Sequence, residues 1–148
     1  MATFDLDVLI RFAHCDPAGI VFFPRYFEMV NQTVEDWFAG PLGRSFKALH
    51  MDGGVGVPTA RFETEFRKPS RLGDVVRFSL EVEQIERSSC ILQIQAHCEG
   101  ELRAWFRQTI VFVDLATMKS APWPDDLRAR ISAFAAEPPE TESREEAE

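Results

Sequence analysis

Between residues 60 and 113 the chain repeats one pattern four times: apolar and polar residues alternate, and a short turn follows. A period of two is typical of a β-strand with one buried face. The four segments begin at Ala60, Val76, Cys90 and Leu102. Connections this short favour antiparallel neighbours, so the pattern predicts four strands arranged as a meander.

Two other patterns precede these strands. Residues 4–12 alternate in the same way and predict a further strand. From Pro24 to Phe38 the apolar residues recur every three or four positions, which predicts a helix with a wide aromatic face. Pro24 suits the first helical position because its φ is fixed near the helical value, and Gly40 followed by Pro41 predicts the end of the helix.

Together these patterns predict the α+β class, with one long central helix wrapped by a curved antiparallel sheet. Shorter helical segments are predicted over residues 42–49 and from Pro124 onward. We expect one domain over residues 1–136, followed by an acidic, mobile tail over residues 137–148, where six glutamates stand against one arginine.

The net charge of −8 over 148 residues is concentrated in that tail. The tail carries −5, which leaves −3 for residues 1–136. A protein that binds nucleic acid or an anionic membrane surface carries a basic field, so we expect neither partner here. A bound anion would need a local cluster of arginine and lysine.

The cysteines and the first residues both favour a cytoplasmic protein. The three cysteines are odd in number and form no CxxC pair, so neither a disulfide framework nor a zinc ribbon is indicated. The first twelve residues contain two aspartates and no long apolar run, unlike a signal peptide. No uncharged stretch approaches the roughly 18 residues of a membrane span.

An open sheet leaves at least one exposed edge, and here the outward side of the last two strands is only weakly polar. It carries Ile91, Trp105, Val111 and Val113. Exposed edges and apolar faces both promote association. We therefore expect an obligate oligomer.

The loop between the first strand and the helix has three reactive residue types in a row, His14, Cys15 and Asp16. Asp16 stands between a proline turn and an apolar run, close to the first N–H groups of the helix. A carboxylate beside such donors suits chemistry on a polarised carbonyl, as in an oxyanion hole. The alternative is that Asp16 only forms an Asx-turn before Pro17.

A cysteine–histidine nucleophile and a metal site are both disfavoured. Adjacent residues of an extended chain point to opposite faces, so His14 and Cys15 are poorly placed to pair. His50 and His97 have no partners at ligand spacing. We expect His14 to bond to the backbone, and no metal to be held.

Residues 11–26, RFAHCDPAGIVFFPRY, resemble the signature of the 4-hydroxybenzoyl-CoA thioesterase family. In that family a D-x-x-G-x-V/I-aromatic-aromatic-P-x-Y pattern joins the first strand to the central helix of a hotdog fold. The resemblance implies this fold over roughly residues 3–135. It also implies acyl-CoA thioester hydrolysis without a metal or organic cofactor.

The resemblance implies a role for each matching position. Asp16 corresponds to the nucleophile or general base, Phe23 to the residue whose backbone N–H polarises the thioester oxygen, and Gly19 to a close backbone approach. The acyl pocket would be lined by Tyr26, Val30 and Asn31, with Val57, Pro58 and Thr59 from a neighbouring subunit. Asn31 stands where the 4-hydroxybenzoyl enzyme has an acidic residue that binds the phenol.

The phosphates of CoA require cations. Arg87, with Ser88 and Ser89, matches the hairpin turn that binds the nucleotide in that family, and Arg67, Lys68 and Arg71 of the preceding turn would add charge. The alternative for each of these residues is a solvated turn.

The leading hypothesis is hydrolysis of an aromatic, benzoyl- or hydroxybenzoyl-type CoA thioester by a homotetramer built from dimers. The alternatives are a short-chain or fatty acyl-CoA thioesterase and a non-catalytic acyl-CoA-binding module. A hotdog dehydratase would need a histidine in or beside the central helix, and none lies between Phe22 and Phe38.

Overall fold

Five strands form one antiparallel sheet that curves around a long helix. The computed structural model describes residues 2–135, so the predicted acidic tail lies outside the described residues. The strands are β1 (Phe4–Leu9), β2 (Val55–Gly56), β3 (Thr59–Phe66), β4 (Val75–Ile85), β5 (Ser89–Cys98), β6 (Glu101–Val111), β7 (Val113–Asp114) and β8 (Lys119–Ser120). The helices are α1 (Pro24–Ala39) and α2 (Asp125–Ser132), with a 3-10 turn at Phe12–His14 and a π-helical turn at Lys47–Asp52.

The order of the strands in the large sheet is β1-β4-β5-β6-β3. The meander is confirmed for β4, β5 and β6, but the prediction that β3 would join it beside β4 is wrong. Phe4 to Leu9 of β1 occupy one edge of β4, and β5 occupies the other. Because β4 has no free edge, β3 pairs with β6 instead, from Thr59 opposite Ile110 to Phe66 opposite Ala104.

Helix α1 follows the predicted apolar pattern. It begins at Pro24 and ends at Ala39, with Gly40 as the C-cap. One face is buried against the concave side of the sheet by Tyr26, Met29, Val30, Thr33, Val34, Trp37 and Phe38. At its N-terminal end, aromatic rings of the sheet cluster around Tyr26: Phe66, Phe78 and Phe106 lie with centroids within 6.4 Å of its ring.

Short elements cover the opposite end of the sheet. The π-helical turn begins at Lys47, later in the chain than the helix predicted over 42–49, although Leu42 and Leu49 are both buried. A small sheet of β2, β7 and β8 lies beside it. Helix α2 begins after Pro124 as predicted and buries Leu127 and Ile131 completely. Among residues 2–135, neither α-helix has the length and apolar character that crossing a bilayer requires.

The outward face of the sheet is more polar than the sequence pattern indicated. Arg107 of β6 donates to Glu83 of β4 at 3.0 Å and to Glu63 of β3 at 3.3 Å. The indole N–H of Trp105 donates to Gln93 at 3.1 Å. Because these groups already have partners, the weakly polar face is a poorer candidate for association than the free edge of β3.

The burial of the aromatic cluster predicts that two Phe→Ala substitutions will lower the free energy of unfolding by very different amounts. Phe106 is 0% exposed, so Phe106→Ala should lower the free energy of unfolding by about 3–5 kcal/mol. Phe12 is 83% exposed, and Phe12→Ala should lower it by less than about 0.5 kcal/mol. Urea unfolding of both variants measures the two losses. Equal losses would contradict the placement of Phe106 in the core.

Candidate active site

The loop that carries Asp16 folds as two consecutive tight turns. The first is the 3-10 turn, which the N–H of His14 closes by donating to the carbonyl of Arg11 at 2.9 Å. In the second, the N–H of Gly19 donates to the carbonyl of Asp16 at 2.9 Å. Gly19 has φ +78°, a left-handed conformation that favours glycine. A Cβ built there would meet no described atom within 4 Å, so the backbone conformation, rather than crowding within the chain, requires glycine.

The Asp16 carboxylate is fixed by its own loop. The N–H of Ala18 donates to its Oδ1 at 2.9 Å, which is the Asx-turn that the sequence left as an alternative. The other oxygen, Oδ2, has no partner within residues 2–135. The turn therefore orients the half-buried carboxylate and leaves one oxygen available.

Phe23 is the N-cap of α1, and its backbone N–H makes no hydrogen bond within residues 2–135. The N–H of Phe22 donates to His14 and that of Arg25 to Phe22, whereas the N–H of Phe23 has no acceptor in the described part of the chain. Pro24 has no N–H. The positive end of the helix dipole therefore presents the Phe23 N–H as a free donor, as an oxyanion hole requires.

His14 and Cys15 do not form a catalytic pair. The Nδ1 atom of His14 accepts from the N–H of Arg11 at 2.8 Å, so His14 bonds to the backbone as expected. The Cys15 thiol donates to the carbonyl of Arg11 at 3.5 Å. Both side chains are thus used to shape the loop.

A cavity of about 540 Å³ opens beside the start of α1. This volume lies within the usual range for small-molecule sites. Its wall is mainly apolar and aromatic, with two cations, Arg67 and Lys68, and it is formed by Ile20, Val21, Phe23, Tyr26, Phe66, Arg67, Lys68, Pro69 and Ser70. Of the predicted acyl-pocket residues only Tyr26 lines this cavity; Val30 lies in the core and Asn31 is exposed.

A polar group of residues, of which Tyr26 and Ser70 are buried and Arg103 and Asp74 partly buried, holds one wall of the cavity, and sequence reasoning missed it. The Tyr26 hydroxyl donates to Ser70 Oγ at 2.8 Å. Arg103 Nη1 donates to Ser70 Oγ at 3.3 Å, to the carbonyl of Pro69 at 3.1 Å and to Asp74 Oδ2 at 2.8 Å. Asp74 also accepts from the N–H of Arg71 at 2.9 Å. These partners come from α1, from β6 and from the connection between β3 and β4. No local sequence pattern could therefore predict that they lie together.

This environment shifts two pKa values. Burial raises the pKa of the Tyr26 hydroxyl, which therefore stays protonated at neutral pH. The N–H of Arg71 and the guanidinium of Arg103 lower the pKa of the Asp74 carboxyl.

Arg71 lies beside the Asp16 loop, paired with Ile20 by an isolated β-bridge. Residues 57–59 and the Arg87 turn lie at the other end of the sheet. Ser88 accepts from the N–H of Phe112, and Pro58 accepts from the N–H of Val111, so the Arg87 turn and residues 57–59 are neighbours. The strand rise along β4 separates the Arg87 turn from the Asp16 loop by roughly 30 Å. Within one chain, therefore, Arg87 does not converge with the cations near Arg67.

One long helix wrapped by one antiparallel sheet is the hotdog fold. A solved 1,4-dihydroxy-2-naphthoyl-CoA thioesterase from Synechocystis superposes with a TM-score of 0.81 at 22% identity, covering 88% of this chain and 96% of that one. A gentisyl-coenzyme A thioesterase gives 0.76 at 21% identity, covering 86% and 98%. Residues 10–131 match the Thioesterase-like superfamily, and the chain belongs to that superfamily.

A curated relative also matches along nearly the whole chain. It is the 1,4-dihydroxy-2-naphthoyl-CoA hydrolase of Thermosynechococcus vestitus, 27% identical over 143 residues, which are 96% of this chain and 95% of the relative. These three proteins are named for aromatic CoA thioesters other than 4-hydroxybenzoyl-CoA. The likeness is therefore to the wider superfamily rather than to the 4-hydroxybenzoyl-CoA enzymes in particular.

Asp74→Asn tests how the cavity wall is held. A carboxyl with a lowered folded pKa contributes stability above its unfolded pKa, near 3.8, and this contribution disappears as the pH falls through the folded value. The variant should lose about 1–3 kcal/mol at pH 7 and show a smaller further loss between pH 5 and pH 2 than the parent protein.

Urea unfolding across that pH range measures both effects. Asp7→Asn is the matched control, because Asp7 also pairs with an arginine but both partners are exposed. A loss at Asp74 no larger than that at Asp7 would contradict a structural role for the buried group.

Proposed function

We propose that the protein is an acyl-CoA thioesterase that hydrolyses an aromatic CoA thioester to the free acid and CoA. The observation that carries this proposal is the pairing, in one loop, of an oriented carboxylate at Asp16 with the unoccupied N–H of Phe23. An apolar, aromatic cavity begins at the same helix end. Membership of the Thioesterase-like superfamily supports the same reaction.

The proposed chemistry uses these two groups on opposite sides of the thioester carbonyl. The Asp16 carboxylate attacks the carbonyl carbon, or removes a proton from a water that attacks it. The carbonyl oxygen gains negative charge, which the N–H of Phe23 and the dipole of α1 stabilise. The carbon–sulfur bond then breaks, and CoA leaves as a thiolate that takes up a proton. If water is the attacking group, it supplies the second oxygen of the acid, and Asp16 gives up the proton that it removed. If Asp16 attacks, water then hydrolyses the anhydride between Asp16 and the acyl group, which releases the acid and restores the carboxylate. Neither a metal nor an organic cofactor is needed.

The aromatic class of the acyl group is supported by the cavity and by the relatives. Rings of Phe23, Tyr26 and Phe66 contribute to the cavity wall, and their centroids lie 5.6–6.0 Å apart along the series. The relatives are named for dihydroxynaphthoyl and gentisyl thioesters. We infer an aromatic acyl group of the benzoyl or naphthoyl type, of which 4-hydroxybenzoyl is one member.

We further propose that the working unit is a homo-oligomer, a tetramer built from dimers, in which a second subunit completes each site. β3 is an eight-residue edge strand that pairs with β6 on one side only within residues 2–135. A twofold axis near its centre would bring the Thr59 end of one copy to the Phe66 end of the other. Val57, Pro58, Thr59 and the Arg87 turn would then reach the cavity from the partner.

The same arrangement gives the CoA phosphates their cations. Arg67 and Lys68 lie at the cavity, although Glu65 and Glu101 partly neutralise them. Arg71, with Arg87, Ser88 and Ser89 of the partner, would add further charge and donors.

The unpaired state of all three cysteines agrees with a cytoplasmic location.

Asp16→Asn tests the proposed chemistry. The amide keeps the size and the Asx-turn acceptor but lacks the negative charge, so kcat should fall by a factor of about 10³ or more. Steady-state hydrolysis of aromatic CoA esters measures kcat, and titration with a non-hydrolysable thioether analogue measures binding, which should change little. Asp5→Asn, at an exposed strand position, is the control. Near-normal turnover by the Asp16 variant would contradict the assignment.

A mixture of two impaired variants tests the shared site. If the phosphates bind Arg87 of the partner, a dimer of one Asp16→Asn chain and one Arg87→Glu chain has one intact site and one doubly altered site. Random mixing of equal amounts makes half of the dimers mixed, and each mixed dimer has one intact site out of two. The mixture should therefore show about a quarter of the parent activity at low substrate concentration.

Each variant alone should stay well below that level. Activity that stays at the average of the two single variants would exclude a site built from two chains in this way.

A further inference from the structure

The cavity wall is apolar except for its two cations and two buried hydroxyls. Tyr26 is 4% exposed and Ser70 is 0% exposed, and both line the cavity. Their oxygens lie 2.8 Å apart. Apolar neighbours surround them: Val21 and Phe66 belong to the same wall.

These hydroxyls have more protons than acceptors. Ser70 Oγ receives the Tyr26 O–H and an N–H of Arg103. Each hydroxyl brings one hydrogen, and a single hydrogen bond joins the two oxygens. Arg103 has no acceptor atom, so the second hydroxyl hydrogen has no acceptor among the described side chains and backbone groups. This surplus is the same whether Tyr26 donates to Ser70 or Ser70 donates to Tyr26.

The surplus hydrogen remains a donor in the arrangement that residues 2–135 adopt. Burial raises the pKa of Tyr26, so the phenol remains a donor at neutral pH. Arg103 is held by Asp74 and by the carbonyl of Pro69, and from this position it donates to Ser70 Oγ.

A buried donor without an acceptor is unfavourable once a ligand displaces water from the cavity. An aromatic ring alone would fill the space and leave the hydroxyl unpaired. A ring that carries an oxygen at this wall would satisfy it and would still pack against the aromatic side chains.

We propose that the Tyr26–Ser70 hydroxyl pair donates one hydrogen bond to a ring oxygen of the acyl group, and so selects oxygenated over unsubstituted aromatic CoA thioesters. This inference rests on the proposed function and adds the residues that determine selectivity. Asn31, which the sequence resemblance placed opposite the phenol, is exposed and lies outside this cavity wall.

The test compares kcat/KM for benzoyl-CoA with that for its three monohydroxy isomers. The parent enzyme should prefer at least one isomer by about tenfold, as expected for one hydrogen bond to an otherwise unpaired buried group. A methoxy and an ethyl substituent at the preferred position form a second pair of nearly equal size. The methoxy ester should be preferred, because its oxygen accepts a hydrogen bond and the ethyl group does not.

The variants differ in how many of the two hydroxyl donors remain. Tyr26→Phe and Ser70→Ala each leave one hydroxyl that still donates, so each should keep most of the preference. The double variant Tyr26→Phe/Ser70→Ala has no donor, and its ratio of hydroxylated to unsubstituted ester should fall to about 1. Thr33→Val is the control: it removes a buried hydroxyl of the same helix that bonds to Met29 instead.

The outcomes separate the inference from the proposed function. A parent enzyme that hydrolyses hydroxylated and unsubstituted aromatic esters equally, or a double variant that keeps the preference, overturns the inference and leaves the thioesterase assignment standing. If the double variant does not fold, the methoxy and ethyl pair decides. A parent enzyme that hydrolyses none of the aromatic esters, or prefers butyryl-CoA to all of them, overturns the proposed aromatic substrate and the inference with it.

Discussion

The connection between β3 and β4, residues 67–74, determines where the site can form. Arg103 holds it through Pro69, Ser70 and Asp74. The same connection bonds to the segment that carries the Asp16 loop through four backbone hydrogen bonds: Val21 donates to Ser70, Leu72 to Gly19, Gly73 to Ile10 and Ile10 to Asp74. A guanidinium on β6 thereby fixes a loop that lies more than eighty positions earlier in the chain.

Helix α1 supplies the second constraint. Its buried face follows from the spacing of apolar residues, and Pro24 determines where its first turn begins. Because the helix begins there, the free N–H falls on Phe23, and the Tyr26 side chain reaches the wall of the cavity. The position of a single proline thus determines both the donor near the thioester and the hydroxyl in the acyl cavity.

The sequence predicts the local parts of this structure well. The alternation of residues 60–113 gives the strands, the spacing after Pro24 gives the helix, and the DPAG turn indicates the candidate site. The position of β3 was predicted incorrectly because strand pairing depends on which edges are free, and alternation does not carry that information. The Ser70–Arg103–Asp74 group was missed for a similar reason: its members are ordinary residues that only the tertiary fold brings together. Arg87 and the cations near Arg67 were both expected to bind the CoA phosphates, but within one chain they lie at opposite ends of β4.

The strand order also bears on how the chain folds. β4, β5 and β6 are joined by short turns, so their pairing requires little loop-closure entropy. Phe4 of β1 pairs with Leu80, and Phe66 of β3 pairs with Ala104, so both edge strands make contacts between residues far apart in the sequence. The Asp16 loop follows one of these edge strands and bonds to the connection that follows the other. The site therefore lies where closing the chain costs the most conformational entropy. The site can become ordered only when both edge strands, β1 and β3, are paired.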